Sequence, residues 1–304
     1  MSSIMRIGRV ELRVLDLKES VYYYTKIIGL EETGRDNERV YLKAWDEYDH
    51  HSVILKQSDT AGMDHIAFKV KDIFELEKLE RKVEQFGCTL TRISSGTRLA
   101  EGEAVRFIIP TGHAVELYTD IEQPGTAVGT FNPAPWPDNL NGIAPHRFDH
   151  TLLTGDDLET VTRFFKEVLD FYQTEKIITV DGETMVGSFL SVTNKAHDVA
   201  FVKGPDAKFH HAGFYVDNWY DVLKAADILS KNKVEVEVTP TRHGITRGQT
   251  VYFFDPSGNR NEAYASGYFS YSDFPTITWT EDQIGTGIFY HRRQLIESFN
   301  KALT

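Results

Sequence analysis

Three histidines, one tyrosine and one glutamate carry the chemistry most visible in this chain. Thr241-Arg242-His243, then Val251-Tyr252, then Asp255-Pro256-Ser257-Gly258-Asn259-Arg260-Asn261-Glu262 place a histidine, a tyrosine and a carboxylate within about twenty residues. That stretch reads as a loop, a strand, a tight turn and a second strand. Two further histidines begin strand-like segments, His150 in Arg147-Phe148-Asp149-His150 and His211 in Phe209-His210-His211. Two neutral imidazoles and a carboxylate with no thiolate form the ligand set of a non-haem Fe(II) site that leaves positions open for substrate and dioxygen. The chain reads as an enzyme.

An internal repeat supplies the elements that must position these groups. Val105 to Tyr118, with Pro110, Gly112 and Glu116, matches Val251 to Tyr264, with Pro256, Gly258 and Glu262, at an offset of 146. The same offset brings Asp64-His65 onto His210-His211 and His51 onto His197. Each half divides again into two units of strand, helix and several strands. Val10 to Val14 alternates, Asp16-Leu17 closes the strand, and Ser20 to Ile28 has helical spacing before Gly29. The unit from His65 repeats that order, with Asp72 closing the strand and a charged amphipathic helix from Phe74 to Phe86 before Gly87. Units from about 148 and 210 have helices near 157–168 and 217–230. The expected fold is α+β, four βαβββ modules paired into two homologous cup-shaped domains.

Residues 121–145 hold five of the ten prolines and read as an extended linker. The expected organisation is therefore an N-terminal domain over 1–120, the linker, a C-terminal catalytic domain over 146–265 and an extension over 266–304. In the extension, Thr280 with Gln283 three residues on reads as the start of a helix that covers the site through Phe289, Tyr290 or Phe299.

The chain has 304 residues, 41% hydrophobic and 26% charged, with a formal net charge of −12, which disfavours nucleic acid or an anionic membrane as partner. No apolar run of eighteen residues and no apolar leader are seen, so a soluble cytoplasmic protein is expected. The single cysteine, Cys88, fits a reducing compartment and reads as a small core residue. No Gly-rich phosphate loop lies between a strand and a helix, and no organic cofactor is expected.

The repeat order, and the spacing of histidine, tyrosine, Asp-Pro-x-Gly and glutamate over 243–262, resemble the type I extradiol dioxygenases of the vicinal oxygen chelate superfamily, nearest the catechol 2,3-dioxygenases. The resemblance covers nearly the whole chain. It implies that His150, His211 and Glu262 bind one Fe(II) per chain, each from a strand whose side chains alternate faces. His210 stands beside His211, and neighbouring strand residues face opposite ways; the repeat favours His211, which aligns with His65. The resemblance also implies that His197 handles protons and that His243 and Tyr252 contact substrate oxygens, chemistry suited to an imidazole and a phenol. It implies catechol or a small alkylcatechol and dioxygen as substrates, ring opening beside the enediol, and a homotetramer. For the tetramer the sequence offers an aromatic run, Tyr268, Phe269, Tyr271, Phe274 and Trp279.

In the first half His65 and Glu116 persist, but Arg9 stands at the place of His150. A permanent cation repels a metal, so this cup is expected to hold none, leaving His51, His65, His113 and Glu116 as structural remnants. Two other readings share parts of the pattern, a glyoxalase-like metal-dependent isomerase and a metal-free protein that binds an aromatic ligand. His197, His243 and Tyr252 speak against the first and the intact triad against the second.

Overall fold

A helix that follows a strand needs its first backbone N–H groups satisfied, and this chain places Asp or Asn two or three residues after the first strand of each unit, which does so. Asp16, Asp72, Asp157 and Asn218 are the N-caps, accepting from the backbone N–H of Glu19, Glu75, Thr160 and Tyr220. In the computed structural model, which describes residues 2–304, the first unit runs β1 (Ile4–Val14), α1 (Leu17–Tyr22), a π-helical segment (Tyr23–Ile28), β2 (Glu31–Arg35), β3 (Arg39–Lys43) and β4 (Val53–Gln57). The second runs β5 (Gly62–Val70), α2 (Ile73–Phe86), β6 (Leu90–Ile93), β7 (Ala104–Ile108) and β8 (Ala114–Tyr118). The third runs β9 (Arg147–Gly155), α3 (Leu158–Glu167), β10 (Tyr172–Ile178), β11 (Met185–Ser191) and β12 (Val199–Lys203). The fourth runs β13 (Lys208–Tyr215), α4 (Trp219–Lys231), β14 (Val236–Arg242), β15 (Gly248–Phe254) and β16 (Arg260–Ser266). The four βαβββ units of the sequence reading are all present.

Each pair of units forms one sheet. The orders are β2-β3-β4-β1-β5-β8-β7-β6 and, with β17 (Ile277–Thr280) added, β14-β15-β16-β13-β9-β12-β11-β10-β17. The opening strands of the two units pair antiparallel at the centre, β1 with β5 and β9 with β13, so each sheet is a doubled half-cup. A shared apolar core joins the halves: Phe68 meets Phe165 and Phe171, and Phe86 meets Phe164, with ring centroids 5.0 to 6.2 Å apart. Burial of this kind drives the fold at roughly 25 cal/mol per Å² of apolar surface.

Two local expectations need correction. The helix expected over Ser20 to Ile28 begins earlier, at Leu17, and widens to a π-helix after Tyr22. The widening turns the adjacent Tyr23 and Tyr24 both inward, where their hydroxyls meet Asn261, and Tyr24 also meets Asp255, in the second half. The C-terminal extension is not one helix but a 3-10 turn (Glu281–Gln283), α5 (Ile284–Ile288) and α6 (Glu297–Lys301). Thr280 makes no side-chain cap, and Gly285 and Gly287 weaken the helical run. Among the described residues no helix is long and apolar enough to cross a membrane.

Candidate metal centre

β16, β13 and β9 lie side by side, and their register sets the site. Gly213 on β13 stands between His150 on β9 and Glu262 on β16. His211, two residues before Gly213, shares its face. A Cβ at Gly213 would lie 2.3 Å from the His150 ring, so only glycine leaves room for the imidazole to cross the strand. On the opposite face Ala212, Phe214, Ala263 and Ala265 enter the core.

All three donor groups are buried, and their atoms converge. His150 Nε2 lies 2.9 Å from Glu262 Oε2, His211 Nε2 lies 3.2 Å from the same oxygen, and the two nitrogens are 3.4 Å apart. Bonds of about 2.1 Å to one ion put neighbouring ligands about 3.0 Å apart at right angles and about 3.4 Å apart in a tetrahedron. The observed spacings, 2.9 to 3.4 Å, lie within about 0.1 Å of that interval, so the residues fit a divalent ion held on one face.

The outer partners fix both imidazoles in the tautomer that such an ion needs. His150 Nδ1 is 2.9 Å from Asp149 Oδ2, which only accepts, leaving the Nε2 lone pair for the cup. His210 Nε2 donates to the Phe299 carbonyl at 2.8 Å, so a neutral His210 accepts at Nδ1 from His211 Nδ1–H at 2.7 Å. His211 thus also turns a bare Nε2 into the cup, with His210 behind it. Burial lowers His210 well below the ordinary histidine range, Arg260 and His211 adding to it, which keeps it neutral. Burial pulls His150 down, but Asp149 and Glu262 outweigh it and raise it. Burial pushes Glu262 up, and the three facing imidazoles, His150 first and then His211 and His243, outweigh it and hold it well below the usual carboxylate range. The cup is a strong cation attractor, and metal binding there competes with the His150 proton.

The other sequence-predicted residues line the same pocket, together with Leu152, Phe189, Ile245, Ile288 and Phe299. His243 Nε2 is 3.0 Å from the Tyr252 hydroxyl, and its Nδ1 contacts the Ile288 carbonyl. His197 stands on the other side with its ring 4.3 Å from that of His150 and its Nδ1 buried without a protein partner. Burial, and then His150, push His197 well below the ordinary value of 6.5, so it rests as the neutral imidazole.

The first half builds the same constellation around a guanidinium. Arg9 Nη2 lies 2.6 Å from Glu116 Oε2, where the second half has His150, and His65 Nε2 lies 3.2 Å from that oxygen. Glu101 closes on Arg9 at 3.1 Å, and Arg98 and Arg106 take the other Glu116 oxygen. Glu11, Asp64 and His65 also approach one another closely enough to share an ion, but their carboxylates are already paired with Arg39, Arg98 and Arg106.

Residues 147–263 match the family described as Glyoxalase/Bleomycin resistance protein/Dioxygenase superfamily, and residues 63–122 match the catechol 2,3-dioxygenase-like N-terminal domain. The chain is 46% identical to metapyrocatechase of Pseudomonas sp. (strain CF600), over 99% of each chain. The chain belongs to the type I extradiol dioxygenases. A manganese-dependent 2,3-dihydroxybiphenyl 1,2-dioxygenase of Geobacillus genomosp. 3 is 31% identical over 95% of this chain and 94% of its own. Among solved structures, the 2,3-dioxygenase LapB of Pseudomonas sp. KL28 superposes with a TM-score of 0.90 at 45% identity, over 93% of this chain and 99% of that one. As an extradiol dioxygenase the protein opens the catechol ring with dioxygen at a metal-dependent centre. Sequence reasoning missed Gly213, although a lone glycine inside a strand is itself a sign of close approach.

Proposed function

We propose that this extradiol dioxygenase holds one Fe(II) per chain between His150, His211 and Glu262 and cleaves catechol and small alkylcatechols to 2-hydroxymuconate semialdehyde-type products. The observation that carries the reading is the convergence of three buried donor atoms within 2.9 to 3.4 Å, beneath a pocket that also collects His197, His243 and Tyr252. Bound there, a redox-active divalent ion templates catecholate and dioxygen and conducts electron density between them.

The protein's own groups orient substrate and move protons. Tyr252 and His243, joined at 3.0 Å, form one wall and meet a substrate hydroxyl there. The neutral His197 imidazole on the opposite side takes up a proton and returns it to the opening ring. Leu152, Phe189, Ile245, Ile288 and Phe299 exclude water and suit an uncharged ring. Among the described residues no Arg or Lys lines this pocket; Arg242 donates to the Arg247 carbonyl, and Arg247 stacks over Tyr268. This supports a neutral alkyl substituent over a carboxylated one.

The units 1–120, 121–145, 146–265 and 266–304 serve as brace, linker, catalytic domain and cover. Homotetramer formation draws support from Phe269, Tyr271 and Phe274, which are exposed, whereas Tyr268 and Trp279 turn inward to Glu175. Apoprotein reconstituted anaerobically with Fe(II) or Mn(II) tests the metal assignment. One Fe(II) per chain with yellow product from catechol is expected, and Glu262→Ala should lose both iron and turnover. Normal iron content in Glu262→Ala, or two tightly held irons per chain, refutes the assignment.

A further inference from the structure

Thr250 is fully buried on β15, two residues before Tyr252 on the same face. Its hydroxyl donates to Glu262 Oε1 and stands beside the Tyr252 hydroxyl. The other carboxylate oxygen, Oε2, faces His150 Nε2 at 2.9 Å and His211 Nε2 at 3.2 Å. The two oxygens of Glu262 are therefore committed in different directions.

His243 Nε2 lies 3.4 Å from Oε1 but is no rival donor. Its Nδ1 contacts the Ile288 carbonyl, which only accepts, so a neutral ring has its lone pair at Nε2, where the Tyr252 hydroxyl at 3.0 Å donates. Thr250 donates to Oε1 directly, with the Tyr252 hydroxyl also close to the carboxylate. The first half shows what happens without it. Ala104 stands opposite Tyr118 as Thr250 stands opposite Tyr264, and the Glu116 oxygen is held by Arg98 and Arg106 instead. A hydroxyl leaves the carboxylate its full charge for an ion, whereas two guanidinium groups consume it.

We propose that Thr250 is a positioning residue that keeps Glu262 a one-oxygen ligand; this rests on the reading that His150, His211 and Glu262 hold the metal. Carboxylates bind divalent ions through one oxygen or both. If Oε1 swung inward it would fill a position that the two catechol oxygens and dioxygen need. The hydrogen bond from Thr250 opposes that swing.

Thr250→Val preserves shape and removes the donor, and Thr250→Ser preserves the donor. Each apoprotein is titrated anaerobically with Fe(II); catechol affinity of the loaded protein is then measured without oxygen, and iron ligation is read by X-ray absorption. Thr250→Val should keep one iron per chain, gain an oxygen ligand and bind catechol more weakly, with turnover falling about 10- to 100-fold as for a lost outer partner. Thr250→Ser should return to wild-type values. If Val prevents folding, Thr250→Ala, the residue present in the first half, carries the same comparison. Wild-type catechol affinity with unchanged iron ligation in the donorless variant overturns the role. Iron retained by Glu262→Ala overturns the ligand assignment itself, a separate result.

Discussion

Removing His210 should weaken metal binding without touching a ligand. Its ring joins the His211 Nδ1, 2.7 Å away, to the Phe299 carbonyl, 2.8 Å away, and all three groups are buried. His210→Ala leaves one N–H and one carbonyl without partners, a destabilisation of about 1–3 kcal/mol for each. It also frees His211 to rotate and to place its proton on Nε2, the nitrogen that must be bare. Loss of such an outer partner typically lowers metal affinity about 10- to 100-fold, or about 1.4 to 2.7 kcal/mol. Anaerobic titration of apoprotein with Fe(II) against a competing chelator reads the affinity, and urea unfolding of the apoprotein reads the stability separately. His210→Gln, with a carbonyl acceptor and an NH2 donor on its amide, should recover part of the affinity. An Fe(II) affinity in His210→Ala equal to that of the wild type would refute the tautomer argument.

His197→Phe should retain iron and bind catechol while turnover falls about 10²- to 10⁴-fold, as for a lost acid–base group; loss of iron would place His197 among the ligands instead. Acid should destabilise the first half: burial raises Asp64, Glu101 and Glu116, but their arginine and histidine partners outweigh it and hold all three below their ordinary values of 3.8 and 4.5. A depressed carboxylate contributes stability above its ordinary value and loses it as pH falls, so unfolding free energy should drop steeply below about pH 4.5. The paired change Arg9→Met with Glu116→Gln should flatten that slope, and an unchanged slope would contradict the network's role.

The parts of the site that follow from a repeat and a strand period were readable in the sequence. The offset of 146 identified Glu262 with Glu116 and favoured His211 over His210, and the structure turns the His211 Nε2 into the cup with His210 behind it. The parts that depend on distant backbone were not readable. The partner of His210 is a carbonyl 89 residues away, in a segment whose glycines made its path irregular. Thr250 was invisible for another reason: a threonine in a strand is ordinary, and only the direction of Glu262 Oε1 gives it a role. The sequence also marked Arg9 as a block to metal, but the two carboxylates that enclose it, Glu116 on β8 and Glu101 in the loop before β7, could be seen only in the folded chain.

That pair of carboxylates makes the difference between the two halves hard to undo. Arg9 sits 2.6 Å from Glu116 and 3.1 Å from Glu101, with its side chain wholly out of solvent. Exchanging it for histidine would not reopen a metal site, because Arg98 and Arg106 would still occupy the far Glu116 oxygen. It would also strip a cation from buried carboxylates, a loss of about 3–5 kcal/mol, comparable to a large part of a domain's stability. A metal centre in this half would require several residues to change at once or a poorly folded intermediate. The guanidinium therefore acts as a ratchet on this half: single substitutions at Arg9 cost stability before they could open a cup for an ion.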